Sequence, residues 1–157
     1  MPAGQTGSRF VYVTYIRSTP EKVWAALTQP DFTKRYWAET HQESDWTPGA
    51  DWRLMIPDGR VGDIGKILEV DYPKKLFIHW AIDFQPELKA EGPTRVTYLL
   101  EEVGASVKLT LIQETDVPNS KILGAMSEGW PHLLASLKSL LETGEPLIES
   151  TKWPEGY

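Results

Sequence analysis

The chain contains no cysteine, so it forms no disulfide, offers no thiolate nucleophile and holds no metal through sulfur. Long apolar runs are missing too: none approaches the roughly 20 residues of a membrane-crossing helix. The opening residues lack the charged-then-apolar order of a secretory leader, and a cytoplasmic protein is expected. Basic residues are in the minority, 16 Lys and Arg against 22 Asp and Glu, and the resulting net charge of −6 comes with no basic cluster. That argues against binding a nucleic-acid phosphate backbone. No Gly-x-Ser-x-Gly, His-Glu-x-x-His, phosphate loop or Gly-x-Gly-x-x-Gly occurs. Neither a catalytic constellation nor a cofactor or metal is expected, and no internal repeat or low-complexity tract is present.

What the chain has instead is apolar and aromatic. Its hydrophobic fraction is 41%, with seven Trp in 157 residues. A folded chain follows, and one domain of this length buries roughly two thirds of its unfolded surface.

The stretch Ser120 to Glu142 organises the rest. Ile122, Leu123, Met126, Trp130, Leu133, Leu134, Leu137, Leu140 and Leu141 recur in steps of three, four and one, which keeps them on one stripe of a helix. Asn119 or Ser120 suits the N-cap, and Gly144 stands where a left-handed residue ends a helix. Pro131 cannot donate to the carbonyl of Ser127, so a kink near Trp130 is expected. Because the stripe runs on in phase beyond it, Pro131 marks no terminus. A stripe this long requires a sheet to cover it.

The sheet is legible upstream. Phe10 to Arg17 is β-branched and aromatic, as strands are. Thr19-Pro20-Glu21 opens a short helix with Thr as cap, Pro at its first position and Glu at the positive end of the dipole. Gln29-Pro30 stops it, and Asp31 starts a second short turn through Phe32, Tyr36 and Trp37. From Glu43 the period changes to two. Asp51 to Ile56, Val61 to Val70, Leu76 to Ile82, Arg95 to Glu102 and Ser106 to Glu114 read as strands. Asp58-Gly59 is a two-residue hairpin signal, and Gln85 to Pro93, with two Pro and a Gly, reads as a loop. Short connections imply hairpins and an antiparallel sheet. The fold class is α+β: a curved antiparallel sheet of about seven strands wrapped around a long C-terminal helix, with two short helices after the first strand. This is the helix-grip arrangement, in one domain over residues 9–144. Residues 1–8 are expected to be a flexible terminus, and 145–157 a tail with a lone Trp153.

Thr19-Pro20-Glu21-Lys22-Val23-Trp24, followed by Phe32 and Trp37, resembles the opening motif of the family named for the activator of the heat-shock protein 90 ATPase. That family lies within the START-like (SRPBCC, Bet v 1-like) superfamily. Pro48-Gly49 before Trp52, Gly65 with Glu69, Leu76 to Trp80, and Gly129-Trp130 before Leu133, Leu137 and Leu141-Glu142-Thr143-Gly144 extend the resemblance over Phe10 to Gly144. Pro131 departs from the pattern. The resemblance implies the helix-grip fold and often a cavity between sheet and helix, but no single activity.

Among polar residues, His41 lies near Glu39, Glu43 and Asp45, where solvated loop charge outweighs a metal or catalytic role. His79 beside Trp80 reads as a structural histidine, and His132 as an exposed one. Asp63 and Glu69 are candidate pocket acids, although a slip of one residue in register would turn each outward. The aromatic and sulfur side chains say more. Trp37, Trp52, Leu54, Trp80, Tyr98, Met126 and Trp130 are the candidate ligand-binding set, weighed against plain core filling. Gly124, Ala125 and Gly129 shift the balance slightly toward a cavity: small residues on a helix otherwise rich in Leu either leave room beside the sheet or permit the kink.

The leading expectation is a protein that binds a small hydrophobic or aromatic molecule. A cyclase- or hydrolase-like enzyme using the same cavity comes second, and a co-chaperone-type interaction domain, with a chaperone or a second copy as partner, comes third. Neither nucleic acid nor a membrane is expected as a partner.

Overall fold

The computed structural model describes residues 7–83 and 86–147. The expected tail with Trp153 falls, from residue 148 on, outside them. Seven strands form one sheet: β1 (Ser8–Ile16), β2 (His41–Ser44), β3 (Asp51–Met55), β4 (Val61–Asp71), β5 (Lys75–Ile82), β6 (Thr94–Val103) and β7 (Ser106–Thr115). Their order is β1-β7-β6-β5-β4-β3-β2 and every pairing is antiparallel. The two short helices, α1 (Pro20–Thr28) and α2 (Pro30–Tyr36), follow β1, and the long α4 (Lys121–Thr143) closes the fold. A short helix, α3 (Pro86–Lys89), occupies part of the segment read as a loop. Its Pro-Glu start suits a first helical turn, a signal too brief to register against two prolines and a glycine.

Helix boundaries follow the expected chemistry. Thr19 Oγ1 accepts from Lys22 N at 3.3 Å, with Pro20 next to it. Ser120 caps α4, its Oγ accepting from Leu123 N at 3.1 Å, and Gly144 ends it at φ 89°. The helix continues through Pro131, and Trp130, Leu134, Leu137 and Leu140 beyond and before it are buried. The first turn of α4 has no acid of its own. Glu91, 30 residues upstream, supplies one: its Oε2 accepts from Lys121 N at 2.8 Å, and its Oε1 meets the Ser120 hydroxyl. A carboxylate there meets the positive end of the helix dipole and ties the α3 segment to α4. At the other end, the Arg17 N–H donates to Glu142 at 2.8 Å.

The strands alternate as the hydrophobic pattern requires. In β5, Leu76, Ile78, Trp80 and Ile82 face inward while Phe77, His79 and Ala81 face outward. β1 begins at Ser8, whose hydroxyl donates to the Val117 carbonyl at 2.7 Å and accepts from Ser120 N at 3.1 Å. β4 breaks phase. A bulge between Ile67 and Glu69 leaves Leu68 without a partner on β5. Asp63 and Ile67 are therefore inside, whereas Glu69 is turned out to Lys75 at 3.2 Å and Val70 packs on the core. The same strand carries Gly65 opposite Trp80, where a Cβ would come within 1.7 Å of the His79 carbonyl oxygen. Only glycine allows the backbones to approach so closely.

Two substitutions test this packing. Gly65→Ala drives a methyl into backbone, not into a side chain that can move, so its cost should exceed the usual overpacking range of about 1–3 kcal/mol. Trp130→Ala should cost about 3–5 kcal/mol. Urea unfolding measures both; a loss under about 1 kcal/mol in either would place that residue outside the packed interior.

Candidate functional site

In the interior between sheet and α4, three tryptophans have their polar ends met by a neighbour. On β3, Trp52 Nε1 donates to Gln42 Oε1 of β2 at 3.0 Å, and Gln42 Nε2 donates in turn to the Leu27 carbonyl at 2.6 Å. On β5, Trp80 Nε1 donates to Asp63 Oδ2 of β4 at 2.8 Å. On α4, Trp130 Nε1 donates to Gln113 Oε1 of β7 at 2.8 Å. Gln113 Nε2 then donates to Thr94 Oγ1, and Thr94 Oγ1 donates to the Trp80 carbonyl at 3.1 Å. Gln42 and Asp63 each lie one diagonal step from their indole across an antiparallel pair, the nearest same-face position besides the direct one.

The rings pack on one another. Trp80 lies 4.3 Å from Trp52 between centroids, 5.9 Å from Trp130 and 5.9 Å, stacked, from Trp37. Trp130 in turn meets Trp37 at 5.7 Å and Tyr98 at 6.2 Å, both edge-on. Trp37 closes the group from α2, and it sits on an unusual turn. Ala38 and Glu39 both have positive φ, 48° and 61°, a left-handed conformation that non-glycine residues adopt at a cost. Thr40 holds the turn, giving the Trp37 carbonyl its N–H at 2.8 Å and its hydroxyl at 2.6 Å.

Two polar atoms in this interior have no hydrogen-bond partner among the described residues: Asp63 Oδ1 and the Tyr98 hydroxyl. Asp63 is 5% exposed. Burial pushes its carboxyl up to about 7; the Trp80 indole N–H and the Asp83 backbone N–H work against that rise, and the Asp83 carboxylate adds least to it. Burial likewise raises the Tyr98 phenol, and the neighbouring Tyr36, whose hydroxyl donates to the Ala26 carbonyl at 2.6 Å. Desolvation of this kind is found both in packed cores and at functional sites.

Of the seven residues singled out from the sequence, Trp37, Trp52, Trp80, Tyr98 and Trp130 form this one aromatic group. Leu54 is buried beside it on β3, paired with Asp63, and Met126 is half-buried on α4 against the core. Of the two candidate acids, Asp63 is inside and Glu69 outside. His41 bonds Glu43 at 3.0 Å on the edge strand, and among the described residues no group of three His, Asp or Glu is placed to hold a metal. His79 is half-buried on the outer face and His132 exposed. The outer face also carries a groove of about 370 Å³ over Gly65, between Arg53, Ile64, Lys66 and His79. Sequence reasoning missed Gln42, Thr94 and Gln113. The signal for Gln113 was there: it falls in phase with the inward Val107, Leu109 and Leu111.

A protein-family model described as "Activator of Hsp90 ATPase homolog 1-like protein" matches residues 17–142. No curated protein matches. Among solved structures, protein MLL2253 from Mesorhizobium loti superposes with a TM-score of 0.73 at 24% identity, covering 86% of this chain and 97% of that one. The Aha1 dimer from Colwellia psychrerythraea gives 0.69 at 20% identity, over 87% and 98%. DynU16, of the dynemicin biosynthetic locus, gives 0.69 at 19%, over 92% of this chain and 49% of that one. At these identities the likeness is one of fold. Among the described residues no helix is long and apolar enough to cross a membrane.

The raised Asp63 group makes a signed prediction. A folded-state value near 7 against 3.8 for the free carboxyl means that the folded chain holds this proton more tightly than the unfolded one. Its contribution is unopposed below the lower value and turns unfavourable as pH rises, by about 1.4 kcal/mol for each unit crossed. Asp63→Asn keeps an acceptor for Trp80 and removes the proton. Urea unfolding at several pH values between the two should show wild type losing stability relative to the variant, and parallel profiles would refute the assignment.

Proposed function

The chain belongs to the family of activator of Hsp90 ATPase homolog 1-like proteins, and from that premise we propose that it binds a small hydrophobic or aromatic molecule between its sheet and α4. In this reading residues 9–144 act as one START-like unit. Trp37, Trp52, Leu54, Trp80, Tyr98, Met126 and Trp130 supply the apolar contacts. One observation carries it: the interior holds two polar atoms, Asp63 Oδ1 and Tyr98 Oη, with nothing to bond among the described residues. An unmet buried polar group costs about 1–3 kcal/mol. Ligand sites are apolar and aromatic with a few such groups left to fix orientation. Trp130 packs both on Trp80, which holds Asp63, and on the Tyr98 ring. Trp37, on its left-handed turn, is the side chain to move when a molecule enters.

An enzyme using the same interior would draw on Asp63 as its acid or base. Association of two copies is favoured by a separate observation. β1 lies at the sheet edge and exposes Val11, Val13 and Tyr15, and open apolar edges invite pairing; the Colwellia neighbour is described as a dimer. Sedimentation velocity distinguishes the two, since a monomer that binds small molecules supports only the first.

Apolar aromatic ligands should quench the tryptophan fluorescence and raise the melting temperature, as any molecule that binds only the folded state does by mass action. Met126→Trp adds bulk on the inner side of α4 and should abolish that shift with the circular dichroism spectrum unchanged. A panel of lipids, flavonoids and polyketides that gives neither quenching nor a thermal shift would leave the interior as packed core, and the interaction reading would take its place.

A further inference from the structure

Asp63 is the one carboxyl among the described residues that the fold encloses, and its two oxygens are not equivalent. Oδ2 is engaged by the Trp80 indole N–H, while Oδ1 is buried with no hydrogen-bond partner among the described residues. A proton on the group therefore belongs on Oδ1, because the oxygen that accepts the indole hydrogen is the poorer place for a second one. We propose that Asp63 is the polar recognition group of the interior, and that its Oδ1–H donates to a carbonyl oxygen of the ligand: a ketone, aldehyde or quinone on an aromatic or apolar body. This rests on the ligand-binding reading above and names the chemistry of its ligand.

The surroundings favour the neutral acid. Leu54 of β3 and Ile82 of β5 face Asp63 as its direct pairs, and Trp80 lies among Trp37, Trp52 and Trp130. Asp83 acts on it in two ways: its backbone N–H favours the ionised form, while its carboxylate, which holds Lys89 at 2.7 Å, disfavours a second negative charge nearby, and the desolvation of Asp63 outweighs both. Among the described residues no cation is placed to offset it, so a carboxylate on Asp63 has N–H groups but no opposite charge to meet it in a low-dielectric interior. A carboxylic acid there is a donor at neutral pH, whereas its ionised form would repel a carbonyl oxygen. Binding of an acceptor ligand then draws on the protonated fraction alone, and apparent affinity falls as that fraction falls.

The test uses naphthalene and 2-acetylnaphthalene, which share an apolar body and differ in one acceptor. At about pH 5.5 the ketone should bind roughly tenfold more tightly than the hydrocarbon. At about pH 8.5 that preference should vanish while naphthalene binding stays the same. Asp63→Asn presents an amide donor at either pH, so the preference should persist across the range. If that variant does not fold, the wild-type contrast between the two pH values decides alone. Equal binding of the two probes at both pH values overturns the inference and leaves the ligand-binding reading standing. A ketone preference that grows as pH rises overturns it as well. Failure of both probes to bind at any pH removes the ligand-binding reading, and the inference with it.

Discussion

Burying an indole removes its N–H from water, and this fold buries four of them within one small group, three with a hydrogen-bond acceptor in place. Trp52, Trp80 and Trp130 each need an acceptor that only another element can supply. The acceptors come from β2, β4 and β7, so meeting them fixes how those elements sit against β3, β5 and α4. A slip of one residue in β4 would turn Asp63 outward and leave the Trp80 donor unmet, at a cost of about 1–3 kcal/mol. The chain from Trp130 through Gln113 and Thr94 to the Trp80 carbonyl extends the same constraint across three neighbouring strands and the helix. Polar satisfaction, as much as apolar burial, sets the register of this core.

That requirement also explains why Asp63 is tolerated. A carboxyl with one oxygen bonded to an indole and the other without a partner among the described residues is a costly way to satisfy a single N–H; Gln42 and Gln113 do the same for Trp52 and Trp130 without a titrating group. An amide at position 63 would serve stability as well. The acid is the departure from the rule its neighbours follow, and departures of this kind concentrate where a protein binds or reacts. The left-handed pair Ala38-Glu39 that follows Trp37 is a second departure, next in sequence to a member of the same aromatic group.

Glu91 shows how a feature far away in sequence completes a helix. α4 begins without an acid in its first turn, and the carboxylate that fills the place arrives from the segment after α3. The contact links the start of the helix to the connection between β5 and β6, so the open end of the sheet is tied to the element it grips. Apolar stripes and caps could be read locally; this contact had no local trace.

The sequence by itself determined the longer elements and their kind, though not the short α3 and β2. The apolar stripe of Ser120–Glu142, the Thr19-Pro20-Glu21 start and the period-two strands each express a local rule, in which side-chain spacing matches backbone geometry. The family followed from the order and spacing of those same residues. It also supplied the aromatic set, because large apolar residues at inward positions have few places to go. Only the tertiary structure decided the polar interior. Asp63 and Glu69 are six residues apart and would share a face on a regular strand, and the bulge at Leu68 separates them. Whether Gln42, Thr94 and Gln113 face tryptophans depends on pairings between strands and helix that no local pattern encodes. A bulge and a diagonal hydrogen bond are properties of two strands at once, which is why one strand's sequence cannot announce them.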